Sequence, residues 1–150
     1  MTFGGEEFGL LGSNHYVAAP ELPLAKAIAM INLDMIGRVR DNRVFVGGVG
    51  SSANFKALVE GLNQSENEKF YIEDTDTGGY GSSDHYSFTP EQIPFLFFFS
   101  GLHPDYPTPS DTWDRVTAPQ TAKLLGLVGR VVESLLDSPE RPAFRSEPRP

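Results

Sequence analysis

The stretch Thr2-Phe3-Gly4-Gly5-Glu6-Glu7-Phe8-Gly9-Leu10-Leu11-Gly12-Ser13 decides how this chain is read. Two glycines lead into two adjacent carboxylates, and Phe8, Leu11, His15 and Ala18 follow at spacings of three and four. That spacing predicts a helix with those four residues on its inward face, His15 packed among them. Glu6 and Glu7 then fall in its first turn, roughly 100° apart around the axis. Acids placed that way do not share one partner symmetrically. They divide labour, one holding a cation and the other reaching the water bound to it. Acidic residues also favour helix N-termini because the macrodipole is positive there, so the pair alone decides nothing. The glycines tip the reading. Each costs about 1 kcal/mol relative to alanine in a helix interior, so Gly9 and Gly12 imply packing or a close backbone approach.

Downstream, Pro20 and Pro23 break the pattern, and Ala25 to Leu33 forms an almost continuous apolar run. Such a run reads as a strand buried on both faces. It ends at Asp34, within Asn32-Leu33-Asp34-Met35-Ile36-Gly37. Ligands gather at the carboxyl ends of strands in open parallel sheets, which makes Asp34 a candidate site residue; an Asx-turn is the structural alternative. Arg43 to Gly47 predicts a short strand. Ser51 and Ser52 offer an N-cap for a helix over 53–62, with Phe55, Leu58, Val59 and Leu62 inward. A strand at 70–73 leads into a polar, glycine-rich loop to Asp84, and loops of that kind on a rigid scaffold carry function. Ser83-Asp84-His85 opens a short helical turn that stops before Pro90. The run 93–99 is a central buried strand, prone to aggregation if left uncovered. A proline-rich loop follows from Leu102 to Thr112. Thr117 then caps a last helix at about 119–136, with Leu124, Leu127, Val128, Val131 and Leu135 inward. Alternating strands and helices predict a layered α/β domain over residues 1–137. Residues 138–150, with four prolines and several charges, read as a disordered tail.

Composition narrows the function classes. One hundred and fifty residues with 39% hydrophobic content suit one domain with a sizeable core. A formal charge of −8 disfavours a nucleic-acid surface and adhesion to anionic membranes. No apolar run approaches membrane-spanning length, and no charged-then-apolar leader is present. The absence of cysteine excludes disulfides and thiolate metal sites and leaves the compartment open. Carboxylates with imidazole remain a donor set suited to zinc.

Four motifs in order carry a resemblance: Gly-Gly-Glu-Glu-Phe-Gly-Leu-Leu-Gly-Ser from Gly4, Asn-Leu-Asp-Met-Ile-Gly from Asn32, Ser-Asp-His-Tyr-Ser-Phe from Ser83, and His-Pro-Asp-Tyr from His103. Over residues 4–136 the chain resembles the co-catalytic two-zinc aminopeptidases, relatives of glutamate-carboxypeptidase-like and glutaminyl-cyclase-like proteins. The resemblance implies a three-layer α/β/α fold with a mostly parallel sheet, of the phosphorylase/hydrolase-like type. It implies a metalloprotease activity on the N-terminal residues of peptides, with two zinc ions in a complete site. By the same resemblance Glu6 is the general base, Glu7 a ligand of one zinc and Asp34 a ligand of the other. Asp84, His85 and Tyr106 are then walls of the substrate pocket. Relatives are frequently exported, although no signal in this chain fixes a location.

Two departures qualify that expectation. The family's upstream His-x-Asp ligands are not in this chain, and the late loop has Pro107 where the family places a His ligand directly after the Tyr. Proline offers no metal-binding side-chain atom. Glu7 and Asp34 alone leave each zinc short of the three protein ligands a catalytic zinc needs. His103, four residues before Pro107 in the same loop, is not expected to replace the lost imidazole, because zinc tolerates little error in ligand distance or direction. The expectation is a chain inactive alone, or a non-catalytic pseudoenzyme or partner-binding module of the peptidase fold. A further portion of the domain, or an oligomer partner, would cover its exposed sheet edge. A remote alternative is a dinucleotide site, since Gly48-Val49-Gly50-Ser51-Ser52-Ala53 fits G-x-G-x-x-A between strand and helix.

Overall fold

In the computed structural model, which describes residues 1–74 and 83–146, a four-stranded sheet orders the molecule. Its strands are β1 (Met30–Leu33), β2 (Arg43–Gly47), β3 (Tyr71–Asp74) and β4 (Phe95–Phe99), in the order β1-β4-β2-β3. β1 runs parallel to β4 and β2 parallel to β3, while β2 and β4 are antiparallel. The sheet is thus mostly parallel, as the alternating pattern predicts. The apolar run that becomes β4 is its centre.

Alternation along β4 sorts the two faces. Leu96 and Phe98, with Val44 and Val46 of β2, face the helices α2 (Phe55–Gln64) and α3 (Ala118–Asp137) in one continuous core. The expected stripes on those helices hold: Phe55 and Val59 are buried, Leu58 and Leu62 pack against the core, and all five α3 positions are buried. Phe95, Phe97 and Phe99 point the other way, together with Phe45, which is paired in register with Phe99. A 3-10 turn at Asp84–Phe88 and the helix α1 (Leu11–Ala18) form the layer on that side. With both faces covered, β4 is no exposed aggregation segment.

Several local expectations need correction. Glu6 and Glu7 are not in the first turn of α1; they occupy a separate 3-10 turn, Glu6–Phe8. Gly9 at φ +94° and Leu10 at φ +59° break the backbone between the two. The break rotates the predicted stripe outwards. Phe8 is 81% and Leu11 59% exposed, and His15 is exposed rather than packed. What α1 buries is Ser13, whose hydroxyl lies 2.9 Å from that of Ser87, while Tyr16 meets the rings of Phe3 and Phe88. The run from Ala25 is a strand only from Met30; Leu24–Lys26 is a 3-10 turn, and β1 is half-buried because it is an edge.

The serines before α2 do not cap it. Ser51 instead donates to the Phe95 carbonyl and accepts from its N–H, both at 2.9 Å, and Ser52 bonds Asn54. Thr117 stands at the N-cap of α3 as expected, but its hydroxyl donates to the Gly37 carbonyl and makes no cap hydrogen bond. Of the tail read as disordered, residues 138–146 run without helix or strand, yet Pro142 is buried and Arg141 donates to the carbonyls of Ala25 and Ala27. Most of the glycine-rich loop before Asp84, residues 75–82, lies outside the described residues.

Candidate active site

Local backbone geometry presents the acidic pair. Gly5 at φ +70° turns the chain into Glu6–Phe8, and Gly12 N donates to the Gly4 carbonyl at 2.9 Å. A Cβ on Gly12 would stand 2.7 Å from both Gly4 N and Gly4 O. This is the close approach the sequence implies for Gly12. Gly9 answers to conformation instead, since its own Cβ would meet nothing.

At the carboxyl ends of β1 and β4 opens a cavity of about 1160 Å³. Glu6, Glu7, Asp34 and Asp84 all line it, with Tyr106 and the rings of Phe97 and Phe99. Pockets for small ligands reach about 1,000 Å³ at the upper end, so this cleft exceeds a simple side-chain pocket. It continues along the flank of β1 past Leu24, Ala27 and Met30. Glu6 feels the crowding. Burial first, then the charges of Glu7, Asp34 and Asp84, push its carboxyl above the ordinary value of 4.5.

Asp34 is held by a polar chain that the motifs only partly announce. Asn32, two residues earlier on the same face of β1, donates through Nδ2 to Ser83 Oγ at 2.9 Å; Ser83 donates to Asp34 Oδ2 at 2.8 Å. Asn32 Nδ2 also lies 3.1 Å from His85 Nδ1. An amide NH₂ only donates, so Nδ1 is the acceptor and the ring proton sits on Nε2. His85 is fully buried between Phe95 and Phe97, with ring centroids 4.6 Å away on either side. It does not line the cavity. Of the three residues read as pocket walls, Asp84 and Tyr106 line the cavity, whereas His85 lies behind it and props up the wall. Asn32 and Ser83 were not singled out in the sequence as site residues; their only signal is adjacency to Asp34 and Asp84 within the motifs.

The late loop is fixed by ion pairs. Arg38, four residues past Asp34, bonds Asp105 and, at 2.7 Å, Asp111; Arg115 reaches Asp105 at 2.9 Å. The Arg38 hydrogen bond, with Arg115 adding its charge, holds the Asp105 carboxyl below its usual value. His103 is buried with Nε2 3.5 Å from Asp111, and neither it nor the exposed Pro107 lines the cavity. The glycine motif at 48–53 is closed rather than open to a phosphate: a Cβ on Gly48 would stand 2.4 Å from the Phe95 carbonyl, and Val49, Ser51 and Ser52 are buried. Packing against β4 accounts for that glycine.

An α/β sheet with carboxylates gathered where its parallel strands end defines an enzyme-like architecture with an acidic cleft. The chain belongs to peptidase family M28, whose model matches residues 1–132. It is similar to the aminopeptidase YwaD of Bacillus subtilis, at 28% identity over 95% of this chain and 32% of the relative. Among solved structures, an aminopeptidase from Aneurinibacillus sp. strain AM-1 superposes with a TM-score of 0.71 at 27% identity, covering 98% of this chain and 34% of that one. BSAP, a zinc aminopeptidase from Bacillus subtilis, gives a TM-score of 0.74 at 24% identity, covering 97% and 38%. The LapA aminopeptidase of Legionella pneumophila gives 0.76 at 23%, covering 92% and 38%; the last two likenesses speak to fold. The chain spans about a third of the length of these relatives.

The zinc that this family implies needs three protein ligands at a catalytic site. Among the described residues, no group of three or more His, Cys, Asp or Glu is placed to hold a metal ion. Glu7 and Asp34 share the cavity, but the late loop brings no imidazole to it. The donors among the described residues do not by themselves fit a catalytic zinc.

Proposed function

We propose that this chain is part of a metallo-aminopeptidase that cleaves N-terminal residues from peptides, and that by itself it is inactive. The observation that carries this reading is the convergence of Glu6, Glu7, Asp34 and Asp84 on one cavity in a chain of this peptidase family. Glu6 is suited to taking and returning a proton, because burial and three neighbouring carboxylates raise its proton affinity. Glu7 and Asp34 supply the carboxylates for the cations, and Asp84 and Tyr106 bound the peptide. The full site takes two zinc ions, and the remaining ligands come from outside these residues.

The second reading, a non-catalytic pseudoenzyme or partner-binding module of the same fold, is supported by Pro107, which offers no imidazole whatever chain lies upstream. Among the described residues no strand pairs with the outer edge of β1, which offers backbone groups and an apolar flank to further strands, whether from more of the same domain or from a partner subunit. Zinc content by mass spectrometry and hydrolysis of an aminoacyl-anilide test the reading together. The expectation is little bound zinc and no turnover; two tightly held zinc ions with ordinary turnover would refute it. In a version extended upstream by a His-x-Asp segment, Pro107→His is expected to raise both zinc affinity and activity. No change in either would remove Pro107 from the reasoning.

A further inference from the structure

The outer edge of β1 is not uniformly open. Met30 N donates to the Pro94 carbonyl and Asp34 N to the Phe98 carbonyl, so even-numbered residues of β1 direct their backbone groups at β4. By alternation, Ile31 and Leu33 direct theirs away from β4. Ala27 leads into this strand with extended dihedrals, φ −66° and ψ 128°. Its carbonyl accepts from Arg141 Nη2, and the Ala25 carbonyl accepts from Arg141 Nη1 at 2.7 Å. The planar guanidinium fork suits two neighbouring acceptors in a way a lysine ammonium does not.

Arg141 is itself anchored on both sides. Upstream the tail is continuous with α3, which is buried along its whole inner face. Downstream Pro142 is buried, and Arg145 N donates to the Ser51 carbonyl at 2.8 Å. Ser51 is in turn clamped to Phe95 at the start of β4. The tail thus crosses from the end of α3 to the amino-terminal ends of β1 and β4 and is tied down there by side chain and backbone.

We propose that residues 138–146 form a strap whose Arg141 blocks the amino-terminal end of the β1 edge. A strand added to that edge then pairs from Ala29 onwards, and reaches the extended Ala27 only after the strap is released. The strap also fixes Leu24, Lys26 and Ala27, which line the cleft, so releasing it loosens that wall. The proposal rests on the open-edge reading above, but the strap is measurable whether or not any strand ever pairs with β1.

Hydrogen exchange on the full chain, compared with Arg141→Gln, Arg141→Lys and a chain ending at Asp137, tests it. The expected result is at least tenfold faster exchange over residues 24–29 in Arg141→Gln and in the shortened chain. Arg141→Lys should fall between these and the parent, with amides of β4 and α3 unchanged in every case. Unchanged exchange over 24–29 in both Arg141→Gln and the shortened chain would overturn the strap. Uniform acceleration across β4 and α3 would overturn it too, by showing Arg141 to be a general stabiliser.

Discussion

Replacing Gly12 with alanine sets two physical effects against each other with opposite signs. Helix propensity alone favours alanine by up to about 1 kcal/mol, because glycine loses more backbone entropy on folding. Sterics oppose it. The added Cβ would lie 2.7 Å from Gly4 N and from Gly4 O, where real Cβ atoms stay beyond 3.0 Å. The two backbones must therefore part by at least about 0.3 Å, straining the Gly12 N–Gly4 O hydrogen bond and the turn that aims Glu6 and Glu7. Overpacking of this kind costs about 1–3 kcal/mol, so the net expectation is a loss of about 1–2 kcal/mol. In a domain of this size that lowers the Tm by about 2–8 °C. Gly129→Ala in α3 is the control, since a Cβ there meets nothing within 4 Å; it should stabilise by up to about 1 kcal/mol. Thermal melts of the three proteins, followed by circular dichroism, decide the matter. A Gly12→Ala protein that melts no lower than the parent would refute the close-approach argument for the acidic turn.

Further outcomes follow from the same geometry. Because the Glu6 carboxyl is raised above 4.5 in the folded chain, its ionisation opposes folding: stability from this group falls as pH rises from 4.5 through the folded value. Glu6→Gln should thus melt above the parent at pH 7 and level with it at pH 3.5; equal melting at both would show that the crowding is not felt. Asp105 is lowered instead, so its contribution is present above its ordinary value of 3.8 and lost as pH falls through the lower, folded value. Asp105→Asn should remove that acid-side dependence and speed exchange across the late loop, and an unaltered pH–stability curve would count against the Arg38 clamp. Ser51→Ala removes two side-chain hydrogen bonds to the buried backbone of Phe95, at about 0.5–1.5 kcal/mol for each bond. Denaturant unfolding should show a loss of about 2 kcal/mol, and a loss below about 0.5 kcal/mol would mean the clamp is not needed.

What the sequence disclosed follows from which forces leave a periodic trace. The β4 run and the α3 stripe were legible because burial repeats at the period of the element. The place of Asp34 was legible because strand ends in open sheets collect ligands, while Glu6 and Glu7 were marked by the glycines of their motif. The α1 stripe was misread for a definite reason: two residues with positive φ, Gly9 and Leu10, rotate the helix away from the register that Phe8 would set. The apolar residues before Met30 resemble strand because they line a cleft, and lining a cleft selects the same side chains as burial. Ser51 occupies a cap position in sequence, yet its partner is Phe95, 44 residues away. The Asn32–Ser83–His85 chain was hidden in the same way, since its members are 51 and 53 residues apart and polar pairs leave no period.

The stacking of His85 between Phe95 and Phe97 has a spectroscopic consequence. Protons on a ring held 4.6 Å above two phenyl faces experience the diamagnetic currents of both, and their resonances move well upfield of ordinary imidazole signals. Proton NMR at natural abundance therefore has a label already installed beside Asn32 and, through Ser83, one step from Asp34. Any cation or peptide entering the cleft that shifts Asp34 will be heard at that frequency before it is seen in turnover.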